Sequence, residues 1–131
     1  MIFSSAQERA WSDCHTQQVN CIDIYEANGV ECALSASNDG TLKVWELDTG
    51  RCTATLRPTD EDGKPNKSEV ESCCVYKTPK GEWEALSGGA DNHVRRWALS
   101  GSGAGTEMKH VGTGAPWMAK QDTLKGRHGH Q

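Results

Sequence analysis

The chain has 131 residues, 24% of them charged, with a formal net charge of −4 and five tryptophans against one phenylalanine. This length suits one domain with a modest core, and the acidic balance argues against a nucleic-acid module, which carries a basic face or stripe. No apolar run approaches membrane-spanning length and the N-terminus lacks the charged-then-apolar pattern of a secretory signal, so neither nucleic acid nor membrane is expected as a partner and the expected location is cytoplasmic or nuclear.

In chain order, residues 1–13 read either as a lead-in or as the remnant of a preceding unit. Val19 to Tyr25 alternates and is rich in β-formers, which predicts a strand. Cys32 to Ser37 is a second. Asn38-Asp39-Gly40 is a tight-turn signal, because these residues tolerate positive φ. Thr41 to Leu47 is a third strand, Asp48-Thr49-Gly50 turns again, and Arg51 to Leu56 is a fourth. Residues 57–69 hold two prolines and mixed charges, the composition of a long, mobile, solvated loop. Strands are then predicted at Val70 to Lys77, Trp83 to Gly88, His93 to Leu99 and roughly Thr106 to Val111. Residues 112–131 show no regular pattern and are expected to be disordered or to dock on a partner.

The two halves of this series are one unit written twice. Ala33-Leu34-Ser35 recurs as Ala85-Leu86-Ser87, Asp39 as Asp91 and Trp45 as Trp97, and 85−33, 91−39 and 97−45 all equal 52. Val70 to Lys77 matches Val19 to Glu26 at an offset of 51, with Tyr25 and Tyr76 aligned. Along the third strand, Leu42 and Val44 point to one face while Trp45 and Leu47 point to the other. A sheet apolar on both faces must be covered on both. Short antiparallel sheets stacked radially meet that demand, as in a propeller.

The segment from Leu34 to Cys52, with the turn Asn38-Asp39-Gly40 and Trp45-Glu46 closing the third strand, resembles a WD repeat. His15, four residues before Val19, resembles the Gly-His element of that family, and the second unit matches through Ser87, Asp91 and Trp97. The resemblance covers about residues 14–99. It implies an all-β fold of two four-stranded antiparallel propeller blades, a partial β-propeller, with one blade at 14–56 and a more degenerate one at 70–111. It also implies a structural hydrogen-bond network of His15, Ser35, Asp39 and Trp45. A buried indole N–H, hydroxyl and carboxylate each need a partner, and a chain of them satisfies all members. In the second unit the place of the histidine falls on Asn66, leaving Ser87, Asp91 and Trp97. A catalytic reading of Asp-His-Ser lacks an oxyanion hole.

Arg96 aligns with Val44, on a face that should be covered. It is read as a snorkelling surface arginine, as a mark of an open terminal face, or as a contact for an acidic partner. With Arg95 and the acidic triplet Asp60, Glu61 and Asp62, it makes up the candidate partner contacts. No metal and no cofactor is expected. The adjacent carboxylates form no convergent cage, the pairs Cys14-His15 and Cys73-Cys74 and the histidines His110, His128 and His130 lack zinc-site spacing, and Gly101 to Gly105 precedes no helix that could aim amides at a phosphate. The six cysteines are expected as thiols, because Cys21, Cys32, Cys52 and Cys73 sit in strand-like segments as small hydrophobes.

Two blades are too few to close a ring. The chain is therefore expected to be a non-catalytic protein–protein interaction scaffold or adaptor and a fragment or subunit of a larger assembly, completed by other proteins or by further copies of itself. The alternative is the regulatory or substrate-receptor portion of a larger enzyme, such as a nucleotide-driven switch protein or a ubiquitin ligase.

Overall fold

Runs of β-branched, aromatic and small residues drive this chain into strands, and glycine-bearing turns fold each strand back on its predecessor. The computed structural model describes residues 14–100 and 105–107, and every regular element within them is a strand. They are β1 (Val19–Ala27), β2 (Val30–Ser37), β3 (Leu42–Glu46), β4 (Arg51–Leu56), β5 (Val70–Lys77), β6 (Trp83–Gly89), β7 (Val94–Ala98) and β8 (Thr106–Glu107). The first four form one antiparallel sheet in the order β1-β2-β3-β4, and the last four form a second in the order β5-β6-β7-β8. The fold is all-β, two propeller blades side by side. Among the described residues no helix is long and apolar enough to cross a membrane.

Most strand bounds follow the alternation, and the departures have local causes. β1 and β2 extend past the predicted ends until Ala27 faces Val30. The two residues between them, Asn28 and Gly29, both take positive φ, 54° and 79°. That closes a two-residue hairpin whose twist matches the strands. β3 is shorter than predicted at both ends. Thr41 is drawn into the turn by Asp39, and Leu47 donates its N–H to the Glu31 carbonyl outside the ladder. The register slips between Val19 and Cys21 and again between Val70 and Ser72, the equivalent place in the second blade. At the first of these bulges the half-buried Asn20 amide donates to Asn38 Oδ1 at 2.7 Å and to the Val70 carbonyl at 2.9 Å. A bulge that re-aims one side chain thereby ties one blade to the next.

The blades share a single core. Leu34, Ala36, Leu42, Val44 and Leu56 of the first blade meet Val70, Cys73, Ala85, Trp97 and Leu99 of the second. Tyr25 meets Trp83 across the boundary, ring centroids 5.4 Å apart and planes tilted by 45°. The innermost strand of the second blade also bonds directly to β1, because Asp23 Oδ2 accepts from the Val75 N–H at 2.9 Å. The Leu42 and Val44 face of the first blade is thus the one the second blade covers. Trp45 lies on the opposite face, with the His15 ring edge-on at 6.4 Å.

Residues 57–69 fold back on themselves rather than running as an open connection. Thr59 bridges Pro65, the Asp60 N–H donates to the Lys64 carbonyl, and the Asn66 N–H donates to the Pro58 carbonyl. Gly63, at φ 84°, makes the reversal possible. The two prolines sit where no ladder N–H is required of them.

Candidate functional site

In the first blade the turn between β2 and β3 and the segment before β1 converge on one carboxylate. Asp39 Oδ1 accepts from the Thr41 N–H at 2.9 Å and from its hydroxyl at 2.7 Å. Oδ2 accepts from the Thr16 N–H at 3.1 Å and lies 2.9 Å from His15 Nδ1. The other ring nitrogen, His15 Nε2, is 2.7 Å from Ser35 Oγ, which in turn accepts from Trp45 Nε1 at 2.9 Å. An indole N–H can only donate. Ser35 Oγ therefore accepts the indole's bond, and because the Asp39 carboxylate can only accept, His15 Nδ1 is the nitrogen that donates to it. Burial alone would raise the Asp39 pKa. The bonds from Thr41, His15 and Thr16 outweigh it and hold the carboxyl down to about 2. Ser35 is 4% exposed and the His15 side chain 3%, so the pair is closed to a substrate.

The second blade repeats half of this arrangement. Trp97 Nε1 donates to Ser87 Oγ at 2.9 Å, the same bond as in the first blade. Asn66 stands where His15 does, and its amide donates to Asp91 Oδ2 at 3.0 Å and to Asp60 Oδ1 at 2.6 Å. The Arg95 guanidinium sits 2.8 Å from the same Asp91 oxygen. Burial pushes the Asp91 pKa up, but the bonds from Arg95 and the His93 N–H bring it below the usual carboxylate range. Asn66 and Arg95 together thus take over what the imidazole does for Asp39. Neither spans to Ser87 as the ring spans to Ser35, and Asn66, Ser87, Gly88 and Asp91 line a small cavity there.

Arg96 points the other way, away from the first blade. Its Nε donates to Glu84 Oε1 at 2.9 Å and its Nη2 to Glu84 Oε2 at 3.0 Å, and the Tyr76 hydroxyl donates to Glu84 Oε1 at 2.7 Å. The acidic partner of Arg96 is therefore inside the chain. Hydrogen bonding to Arg96 lowers the Glu84 pKa, while burial and the Glu84 bond push the Tyr76 phenol up to about 12. Sequence reasoning passed over Glu84, yet a signal was present: Glu84 falls 52 residues after Cys32, as Arg96 does after Val44. Two opposite charges had entered neighbouring apolar positions together.

Of the acidic triplet, Asp60 bonds Asn66 and Asp62 Oδ1 accepts from the Lys64 N–H at 3.1 Å, while Glu61 and Asp62 face solvent. Arg95 also donates to the Thr59 carbonyl at 3.3 Å, so the arginine ties β7 to the hairpin that carries the triplet. Among the described residues no three His, Cys, Asp or Glu side chains are grouped to hold a metal ion. Cys21, Cys32, Cys52, Cys73 and Cys74 are thiols outside any disulfide. His110, His128, His130 and the segments 1–13 and 112–131 lie outside the described residues.

A sequence model of the family described as "WD domain, G-beta repeat" matches residues 8–46, from ahead of His15 to the residue after Trp45. The nuclear distribution protein nudF of Emericella nidulans is 35% identical over 69 residues, which is 51% of this chain and 13% of that protein. The nuclear distribution protein PAC1-2 of Uncinocarpus reesii is 33% identical over 79 residues, 60% of this chain and 15% of that protein. The chain thus spans a small part of the length of the curated relatives it matches. Among solved structures, the computationally designed Ika4 protein superposes with a TM-score of 0.50 at 23% identity, covering 73% of this chain and 48% of that one, a likeness of fold alone. The duplicated unit, the paired four-stranded blades and these matches agree that residues 8–46 hold a WD repeat and that the second unit is built on the same plan.

Proposed function

We propose that this chain is a non-catalytic protein–protein interaction scaffold, a two-blade part of a larger WD-repeat assembly. The observation that carries the reading is an apolar face on β1 that no other described residue covers, where Ile22 and Ile24 are 61% and 62% exposed. Surfaces of this kind on a folded domain mark contact with another protein. The network around Asp39 and its partial copy around Asp91 serve architecture. Their hydroxyls, imidazole and carboxylates satisfy one another and hold the turns that present the blade edges. Arg95, Arg96 and Asp60 help to shape the surface through intrachain pairs, leaving Glu61 and Asp62 as the exposed acidic contacts.

Affinity capture with the tagged chain tests the reading. A stoichiometric partner is expected with the wild type and is expected to be lost with Ile22→Asp/Ile24→Asp. Equal recovery on both baits, or none on either, would reject it. Nuclear distribution, the process in both relatives' names, is where that partner is sought first. Recovery of an enzyme complex instead would favour a receptor or regulatory role in the cytoplasm or nucleus.

A further inference from the structure

Two cysteines face each other where β1 of the first blade runs beside β5 of the second. The Cys21 thiol donates to the Cys73 carbonyl at 3.3 Å, and the Cys73 thiol lies 3.9 Å from the Cys21 carbonyl and 3.8 Å from that of Leu34. Each sulfur thus sits against the other residue's backbone, in the gap between the two strands. Bonds on either side pin that gap. Asn20 Nδ2 donates to the Val70 carbonyl and the Val75 N–H donates to Asp23 Oδ2, both at 2.9 Å. The neighbouring thiols are placed differently. Cys32 and Cys52 turn to the carbonyls of Val30 and Ala54 in their own strands, and Cys74, next to Cys73, is exposed on the opposite side of β5.

The two sulfurs differ in access. Cys73 is 9% exposed, whereas Cys21 is half-buried. Burial, with Cys21 and Asp23 close by, pushes the Cys73 thiol well above its usual pKa. Cys73 therefore stays protonated and sheltered, and Cys21 is the sulfur that a small oxidant in solvent meets first. A thiol is a weak donor, so both side chains can give up their carbonyl contacts at little cost.

We propose that Cys21 and Cys73 form a reversible oxidation site, at which hydrogen peroxide closes a disulfide that locks the two blades together. Cys21 Sγ first takes an oxygen from peroxide: an S–O bond forms, the O–O bond breaks, and the thiol proton leaves with the released hydroxide as water. Cys73 Sγ then attacks the Cys21 sulfur: the S–S bond forms, the S–O bond breaks, and hydroxide departs with the Cys73 proton as a second water. The two sulfurs lose two electrons in all and one peroxide gains them. The bridge joins positions 52 residues apart, since 73−21 is 52, and so encloses most of the first blade and the 57–69 hairpin. A cross-link over that span restricts the unfolded chain and holds the blade contact covalently. The site goes beyond the scaffold reading and is independent of it, because it needs only this chain and an oxidant.

Non-reducing peptide mapping of the full chain tests it. Wild type, reduced and then treated with hydrogen peroxide, is expected to give the peptides around Cys21 and Cys73 joined, two hydrogens lighter than the separate pair. Its melting temperature is expected to rise by about 10 °C and to fall back on treatment with dithiothreitol. Cys14→Ser/Cys74→Ser is expected to keep both results and Cys21→Ser to lose both. Cys73→Ala takes the place of Cys21→Ser should that variant fail to fold by circular dichroism. Cys21 recovered as sulfinic acid, Cys21 joined to a cysteine other than Cys73, or both thiols unchanged would overturn the site. A Cys21–Cys73 bridge that leaves the melting temperature unchanged or lowers it would overturn the lock.

Discussion

At the scale of single residues the two blades run a natural comparison, because they solve the same hydrogen-bonding problem with different side chains. Asp39 ionises near 2 in the folded chain against an ordinary 3.8, so folding favours its charged form. That contribution, about 2 kcal/mol, is complete above the ordinary value and is lost as pH falls through the folded one. Wild type is therefore expected to exceed Asp39→Asn in denaturant stability at neutral pH, with the gap closing as the pH is lowered through that window. A gap that stays constant down to the folded value would show that the carboxylate's charge is not what the turn uses. Asn66→His should act in the opposite sense, by extending a ring across the cavity to Ser87 Oγ and adding a hydrogen bond of about 1 kcal/mol. Its melting temperature is expected to rise. His15, Ser35, Asp39 and Trp45 could be named because the resemblance to a WD repeat implies them, and each is a type that needs a partner when buried. What Asn66 and Arg95 do at Asp91 could not. Neither matches the repeat, and only the geometry shows two side chains sharing one oxygen.

At the scale of elements, alternation and turn chemistry located the strands, and β4 and β5 have the bounds that the alternation predicts. The hairpin at Asn28-Gly29 was under-read, although Asn-Gly is a strong local turn signal, because Glu26 and Ala27 are poor strand formers and hid the continuation. The 57–69 hairpin was hidden for a related reason. Prolines and charges look like solvated loop whether or not the segment closes on itself. Close approach of backbone to backbone was also invisible in the sequence. A Cβ on Gly89 would lie 2.2 Å from the Glu69 carbonyl oxygen, the same oxygen that accepts from the Ala90 N–H and starts the second blade. A Cβ on the adjacent Gly88 meets nothing closer than Ser72 Oγ at 3.8 Å. Gly89→Ala is therefore expected to destabilise by about 1–3 kcal/mol, the usual penalty for forcing atoms into filled space. Gly88→Ala should cost far less. Equal losses in thermal melts would show that the Glu69 contact is not what distinguishes Gly89 from Gly88.

At the scale of the whole molecule, alternation reveals that a strand has two apolar faces but not which neighbour covers each. The structure answers this for one face of each blade. Trp97, 1% exposed, packs into the first blade, and Leu34, fully buried, packs into the second. A core that belongs to both sheets cannot be lost from one of them alone. Truncating Trp97 to Ala removes about 3–5 kcal/mol and Leu34→Ala about 2–5 kcal/mol, against a total of about 5–15 kcal/mol for a domain. Either change should therefore lower the stability of both blades together. In each variant, tryptophan fluorescence and far-ultraviolet circular dichroism are expected to report one coincident transition, shifted from wild type by a similar amount. Separate transitions, with the blade that carries the substitution melting first, would show that each sheet stands without its neighbour. The contact between them would then be too weak to make the two blades one cooperative unit. A single transition would mean that an apolar blade face is stable in this fold only when covered, as the Leu42 and Val44 face is by the second blade.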